Sequence, residues 1–157
     1  MKKNFLIHVL VILFLAVFNS LAAQTSSEKV KSEITETLKI WNTACKNANV
    51  DQVMSMFDNS DDIMVVGSAD GEISKGKDQI KGWLTQLFGF ADFSWEMNRI
   101  EIDCNGKTAW VFVEGSMIVN FHKGGTKKTP YRFTGIMVMK NGVLKWRLFD
   151  GSVPQQE

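Results

Sequence analysis

One continuous stretch, from Lys107 to Ser152, restricts the fold more than any other part of the sequence. It begins just after Asn105-Gly106, a dipeptide typical of tight β-hairpins between apolar runs. The run 108–121 is too apolar on both faces for an edge strand. Two turn sequences, Gly124-Gly125 and Asn141-Gly142, divide the rest of the stretch into two further segments. The stretch therefore predicts three long antiparallel strands, which need helices to cover them.

Two segments ahead of this sheet each carry one apolar stripe at helical spacing. The first has apolar residues every three or four positions: Val30, Ile34, Leu38, Trp41, Cys45 and Ala48. The second has Ile80, Trp83, Leu84, Leu87 and Phe88. Between them, Asp51 is placed to cap a short helix that ends at Phe57, and 63–66 has the length of a short strand.

The apolar alternation changes phase before the long strands. Phe93, Trp95 and Met97 are odd-numbered, whereas Ile100 and Ile102 are even-numbered. Because side chains alternate with period two along a strand, one extra residue between Met97 and Ile100 is needed to keep a single face apolar. The pattern predicts a β-bulge there, and a bulge bends its strand.

The first residues have the features of a secretory signal peptide. Lys2 and Lys3 precede an apolar run at 5–18, and Ala22-Ala23 offers small residues at a cleavage point before Gln24. The run is shorter than the roughly 20 apolar residues of a membrane span. We therefore expect a signal peptide at 1–23 and a secreted or periplasmic domain at 24–157, with no membrane association after cleavage.

Charge and cysteine content narrow the range of partners. The formal net charge is +1, and it becomes about −1 once the two leader lysines are removed, so neither nucleic acid nor an anionic membrane is favoured. Cys45 and Cys104 would enter an oxidising compartment. They can form a bridge or remain small apolar side chains, and the sequence leaves both readings open.

Several short pieces, in order, resemble one known family. The first is the start of a helix, Lys75-Gly76-Lys77-Asp78-Gln79-Ile80. The second is the start of a strand, from Gly106 to Trp110. The third is the last hairpin, with Asn141-Gly142, Lys145-Trp146-Arg147-Leu148, Ser152 and Pro154. Their order and spacing are similar to the SnoaL-like branch of the nuclear transport factor 2-like superfamily, over nearly all of the mature chain.

This resemblance implies an α+β fold, a cone-shaped roll in which three N-terminal helices pack on a strongly curved antiparallel sheet. It also implies a pocket between the sheet and the first helix. Members of the class include isomerases, cyclases and dehydratases, and also binding and assembly modules without catalysis. Such a fold therefore leaves the function open.

The histidine count limits the chemistry. His8 falls in the predicted leader, so only His122 remains, and clusters for a zinc site or a His-based triad are not available. We predict no metal and no other cofactor, and we interpret His122 as a solvated loop residue. Family members often place a His four residues after the last-strand Trp. Here that position is Asp150, which makes Asp150 the candidate catalytic group.

Arg132 is the predicted partner of Asp150, but its position depends on the strand register. A three-residue loop at 140–142 places Arg132 directly opposite Asp150, whereas a two-residue Asn-Gly turn places Phe133 there. We prefer the first register. Asp150 would then act as a general base or ligand acceptor and Arg132 would hold a carboxylate, although a cross-strand ion pair explains the two residues equally simply.

Glu114 is a second candidate catalytic carboxylate. It interrupts an otherwise apolar strand between Val113 and Gly115. A carboxylate at such a position either faces solvent or lines a pocket, where burial would raise its pKa and suit acid–base chemistry. The sequence does not choose between these two positions.

The tryptophans are candidates for ligand contact. Trp41 and Trp83 lie on the apolar stripes of their helices and Trp146 on the last strand, and together with Arg132 they form our predicted ligand-binding set. A single tryptophan on such a stripe is more often a core residue than a ligand contact. The single tyrosine, Tyr131, starts a strand, so the tyrosine and acidic donors of ketosteroid-isomerase-type members are not evident.

Three functions are consistent with these observations. The first is an exported domain that binds a small apolar or aromatic ligand in a largely apolar pocket, with Arg132, Asp150 or Glu114 as its polar groups. The second is an acid–base enzyme (isomerase, dehydratase or hydrolase) that uses one of those carboxylates. The third is an assembly module that forms a homodimer through the outer sheet face, where Val119, Phe133, Met137 and Met139 would supply apolar surface.

Overall fold

The structure is a computed structural model that describes residues 28–155. The predicted signal peptide at 1–23 lies outside the described residues. Within 28–155, no helix combines the length and the apolar character that crossing a bilayer requires.

Three helices precede the long strands, as predicted. Helix α1 is described over 28–46, α2 covers Val50–Ser55 and α3 covers Lys77–Phe90. The predicted stripe of α1 is its buried face, with Ile34, Leu38, Trp41 and Cys45 in the core. The cap of α2 differs from the prediction: Asn49, not Asp51, accepts a hydrogen bond from the backbone N–H of Gln52 at 3.0 Å. Asp51 lies inside the first turn, where a carboxylate is also favourable.

All strands belong to one six-stranded sheet. Their bounds are β1 Met64–Val66, β2 Ile73–Lys75, β3 Ala91–Asn105, β4 Thr108–Phe121, β5 Thr126–Lys140 and β6 Val143–Ser152. The order across the sheet is β2-β1-β6-β5-β4-β3. The three predicted strands β4, β5 and β6 form its centre. Strand β2 was not foreseen, and β1 pairs with β6 in parallel, so the sheet has one parallel ladder in an otherwise antiparallel array.

The predicted bulge in β3 is confirmed. The register with β4 shifts between Met97 and Arg99, which returns Ile100 and Ile102 to the face that carries Trp95 and Met97. Gly115 lies opposite Met97, and a Cβ at that position would overlap the backbone carbonyl of Glu96. Glycine is therefore required where β4 passes the bulge.

The register between β5 and β6 differs from the one we preferred. Asn141 (φ 51°) and Gly142 (φ 79°) form a two-residue turn with positive φ at both positions, so Met137 lies opposite Trp146. A second irregularity between Ile136 and Met137 then shifts the pairing by one residue. Beyond it, Thr134 lies opposite Asp150 and Arg132 lies opposite Ser152. The predicted Arg132–Asp150 pair is wrong because the turn has two residues rather than the three that the prediction assumed, and the irregularity moves Arg132 one residue further away from Asp150.

The helices cover one face of the sheet, which we call the inner face. Phe133, Met137 and Val119 point to this face and are buried, and Met139 packs against the same core. Our expectation that these four residues supply an apolar outer face is wrong, because strand alternation places them inside. Gly135 also lies on the inner face, where a Cβ would overlap the ring of Trp146.

The outer face carries a different apolar row. Trp110 lies beside Ile136, Ile136 beside Leu148, and Leu148 beside Met64 across four neighbouring strands. Trp110 is 44% exposed. We call these four residues the outer apolar row.

Helix α1 is tied to the edge of the sheet by one side chain. The Asn42 amide donates to the carbonyl of Trp95 at 3.0 Å, and its carbonyl accepts from the Trp95 N–H at 2.8 Å. Strand β3 is an edge strand, so these groups have no neighbouring strand to pair with. Asn42 thus satisfies both backbone groups and fixes the helix against the sheet.

The two cysteines are not bridged to each other. Cys45 is a buried thiol on α1, and burial raises its pKa well above the ordinary value. Cys104 is half-buried near the end of β3. For Cys45 the structure favours the role of a small core side chain.

Candidate functional site

A hollow of about 320 Å³ lies between the inner face of the sheet, α1 and α3. Its walls are mainly apolar and rich in aromatic rings, which belong to Trp41, Trp83, Trp95, Phe57, Phe88, Phe90, Phe93, Phe121 and Phe149. We call this hollow the cavity. Its location agrees with the pocket that the family resemblance implies between the sheet and the first helix.

Trp41 is the centre of the aromatic cluster beneath the cavity. Its ring stacks on Trp95 with centroids 4.3 Å apart, and it contacts Phe149 at 5.2 Å and Phe133 at 5.3 Å. Helix α1 presents Trp41, while β3, β5 and β6 present the partners. Offset or edge-on contacts of this kind contribute about 0.5–1.5 kcal/mol each beyond the burial of area. The cluster therefore holds the helix on the sheet and forms a rigid floor.

Two of the predicted ligand contacts do line the cavity. Trp41 contributes its floor, and Trp83 on α3 contributes a partly exposed wall. Trp146 does not reach it: this residue is 0% exposed and lies behind Trp41, with the ring centroids 6.1 Å apart. Trp146 is thus a core residue that supports the floor.

The charged residues of the predicted site lie on the other face of the sheet. Glu114 pairs across the ladder with Arg132, and Asp150 lies one row away opposite Thr134. Glu114 and Asp150 are exposed, and none of the three lines the cavity. The expectation that they supply the polar groups of the pocket is wrong, because each alternates with a buried inner neighbour, such as Val113, Phe133 or Phe149.

The polar groups of the cavity come from other residues. Ser68 and Glu72 enter from the loop between β1 and β2, and Lys127 and Thr129 from the start of β5. Glu72 accepts a hydrogen bond from the Ala69 N–H at 3.0 Å. These four residues form what we call the polar edge, and the rest of the lining comes mainly from apolar side chains.

Tyr131 extends this edge into the protein. Its hydroxyl lies directly over Gly151, where a Cβ would collide with it, and it is hydrogen-bonded to Ser68. Burial raises the pKa of Tyr131 to about 12, with the negative charges of Glu72 and Asp150 acting in the same direction. The phenol therefore remains protonated over the whole physiological range and can donate a hydrogen bond.

Sequence reasoning missed the polar edge, although one signal for it was present. Tyr131, Phe133 and Met137 share the parity that faces inward on β5, and Lys127 and Thr129 have the same parity. The apolar residues identify the strand, but the same parity was not extended to its polar residues. Ser68 and Glu72 lie in an irregular loop, which has no periodicity to reveal their direction.

A separate ionic cluster lies at the other end of β6. Arg147 contacts Asp58 at 2.8 Å and Asp62 at 3.4 Å, and Asp58 is only 7% exposed. Although burial alone would raise the pKa of Asp58, the hydrogen bonds from Arg147 and the Asn59 N–H and the charge of Lys140 bring it below its ordinary value. Arg147 has no partner residue in β5, because the register shifts between Ile136 and Met137. Its side chain therefore reaches the loop that carries Asp58 and Asp62.

The family comparison agrees with this architecture. A family model described as a SnoaL-like domain matches residues 34–155. The chain belongs to the SnoaL-like domain family. The cone-shaped fold implied by the sequence resemblance is thereby confirmed, with a curved sheet that is not closed.

Solved structures similar to this SnoaL-like domain come from several bacteria. A nuclear transport factor 2-like superfamily protein of Salmonella enterica serovar Typhimurium has a TM-score of 0.74 at 18% identity, over 82% of this chain and 94% of that one. A candidate dehydratase of the same family from Streptomyces avermitilis has a TM-score of 0.74 at 8% identity, over 82% and 99%.

A third similar structure is named for assembly rather than catalysis. A candidate calcium/calmodulin-dependent protein kinase II association domain from Xanthomonas campestris has a TM-score of 0.67 at 14% identity, over 80% of this chain and 88% of that one. No curated protein matches this SnoaL-like domain. At these identities the likenesses establish the fold alone.

His122 lies near the mouth of the cavity of this SnoaL-like domain. Its Nε2 is 2.9 Å from the Asp92 carboxylate and its Nδ1 is 3.3 Å from the Gly89 carbonyl. Both partners can only accept, so both contacts are satisfied when the ring is protonated at both nitrogens. The hydrogen bond with Asp92 raises the pKa of His122 above its ordinary 6.5, against a smaller opposing effect of desolvation. The neighbouring rings Phe90 and Phe121 line the cavity.

This contact predicts a pH-dependent stability above pH 6.5. A raised pKa in the folded state means that the stabilisation is complete below the unfolded value of 6.5 and is lost as the pH rises through the higher folded value. Urea unfolding of the wild type, in steps from below pH 6.5 upward, should show this decline. In His122→Gln the decline should be smaller. A control substitution at the hairpin tip, Lys123→Gln, should leave the wild-type profile unchanged, and identical profiles for all three proteins would contradict the assignment.

Proposed function

We propose that this domain binds a small, mainly apolar or aromatic molecule inside the cavity. The observation that carries this proposal is a hollow of about 320 Å³ with aromatic walls and one polar edge. Protein interiors are otherwise close-packed, and voids larger than a few water molecules are uncommon. Ligand pockets usually measure about 300–1,000 Å³, so a compact molecule of one or two rings fits this one best.

The composition of the walls supports an aromatic or flat apolar ligand. Trp83 is partly exposed at the wall, and Trp95 extends the stacked pair that begins with Trp41. Flat rings offer large contact area with little conformational entropy to lose, which favours flat partners. The polar edge would orient such a molecule, because Ser68 and Thr129 carry hydroxyls and Tyr131 a protonated phenol nearby.

An enzyme with acid–base chemistry is the alternative, and it now involves a different residue. Glu72 is the carboxylate that lines the cavity, whereas Glu114 and Asp150 face away from it. One similar structure is named as a candidate dehydratase, which is compatible with a proton acceptor at this position. Under this alternative, Glu72→Gln would abolish turnover of a bound substrate and keep its binding.

The binding proposal predicts different effects for two tryptophans. Trp83→Ala removes a wall of the cavity and should weaken the binding of 2-naphthol, measured by isothermal titration calorimetry, by about three- to tenfold, since one aromatic contact is worth about 0.5–1.5 kcal/mol. The matched control is Trp110→Ala, which removes an exposed tryptophan from the other face of the sheet and should leave the affinity unchanged. Equal losses in both variants, or no binding to the wild type, would contradict the proposal.

We also propose that the domain forms a homodimer through the outer face of the sheet. The outer apolar row is uncovered by helices in the described part of the chain, and one similar structure is named as an association domain. Two copies related by a two-fold axis would bury Trp110 and its neighbours against each other. Trp110 is the most exposed residue of the row, and tryptophans are among the residues that most often dominate the binding energy of an interface.

A charge placed in the outer apolar row tests this assembly. Trp110→Glu should raise the dimer dissociation constant by at least about tenfold, because a hot-spot tryptophan is replaced by a carboxylate that would be buried. Native mass spectrometry over a concentration series measures the change. Trp83→Ala serves as the control, since its cavity position should leave the dimer intact. A wild type that is monomeric at every concentration would overturn the proposal.

Export remains our proposal for the location of the protein. It is supported by Lys2, Lys3 and the apolar run at 5–18 ahead of Ala22-Ala23. We expect the protein isolated from its own host to begin at Gln24, which N-terminal sequencing reads directly. Isolation of a chain that retains residues 1–23 would contradict export by this route.

A further inference from the structure

Two adjacent lysines at the start of β5 have opposite surroundings. Lys128 points to the outer face and contacts the Glu96 carboxylate at 2.6 Å. Lys127 lies opposite Val119 on the inner face and lines the cavity. Among the described residues, Lys127 makes no ion pair with a carboxylate. The Lys128 ammonium is therefore neutralised by Glu96, whereas the Lys127 ammonium beside the cavity has no counter-charge among the described residues.

The other charged group of the cavity does not balance Lys127. Glu72 lines the same cavity, but its carboxylate packs on Gly67 and accepts from the Ala69 N–H, within its own loop. The distance between the two charged groups exceeds that of an ion pair. Lys127 is exposed to solvent, so an anion that reaches it gains a charge-assisted hydrogen bond rather than a strong low-dielectric attraction.

We propose that the ligand is an apolar carboxylic acid, bound with its carboxylate at Lys127 and its apolar body against the aromatic walls. This inference rests on the proposed ligand-binding function. It adds the charge of the ligand and the residue that binds the charged group. Thr129, two positions further along the same face, places a hydroxyl beside the same end of the cavity.

The rest of the lining argues for a single negative charge. No arginine is among the residues that line the cavity, and Glu72 carries a negative charge of its own there. A dianion such as a phosphate monoester would gain one ammonium contact and be repelled by Glu72. A carboxylate needs one cation and a hydroxyl, which matches what the polar edge provides.

The test compares two probes that share one ring system. Isothermal titration calorimetry with 2-naphthoate and with its uncharged amide, 2-naphthamide, separates the effect of the charge from that of the rings. The wild type should bind the acid about fivefold more tightly than the amide, the upper end of what a contact with an exposed charge provides. In Lys127→Gln the two affinities should become equal within about twofold, with the amide affinity unchanged.

Two further variants make the assignment specific. Lys128→Gln removes the adjacent lysine and should keep the full preference for the acid. Lys127→Arg retains the charge and should keep most of it. Equal binding of acid and amide by the wild type, or an undiminished preference in Lys127→Gln, would overturn the inference while leaving ligand binding intact. Binding of neither probe to the folded wild type would overturn the binding function itself, and the inference with it.

Discussion

The contact between Trp41 and the inner face of the sheet is the interaction on which the rest of the structure depends. This one ring meets side chains from β3, β5 and β6, and so it joins α1 to three strands of a strongly bent sheet. Trp41 forms the floor of the hollow. Phe133 and Trp146 pack beneath it, while Phe149 contacts Trp41 and also lines the hollow. The contacts of Trp41 thus stabilise the core and also form the floor of the cavity.

The two faces of the sheet have separate tasks, and strand parity assigns each residue to one of them. Inner positions provide the core, the cavity walls and the polar edge, including Tyr131 and Lys127. Outer positions carry the Glu114–Arg132 pair, Asp150 and the outer apolar row. The side chains of the two faces can therefore vary independently, since neighbouring residues of one strand point to different faces. The identification of the fold alone would not have revealed which face holds which group.

The architecture could be read from the sequence because it rests on periodic patterns. The stripe on α1, the hairpin dipeptides and the phase change between Met97 and Ile100 each have one simple structural explanation. The site could be read only in part. Trp41 and Trp83 were found because they lie on helical stripes. Arg132 and Asp150 were misplaced because Asn141-Gly142 forms a two-residue turn where a three-residue loop was preferred, and because a bulge between Ile136 and Met137, which no local residue type indicates, shifts the register by one residue more. Ser68 and Glu72 were missed because a loop has no repeat from which to infer direction.

The two hydrogen bonds of Asn42 have a consequence for how the molecule behaves in a crowded compartment. Strand β3 is 15 residues long and forms a free border of the sheet, the kind of border on which a second chain can add a strand. Asn42 occupies the backbone N–H and the backbone carbonyl of Trp95 in the first half of this strand. Together with the bend at Met97, it interrupts the straight run of open backbone groups that edge-to-edge polymerisation requires. The side chain that positions a helix thereby also reduces the length of open strand edge on which another chain could add.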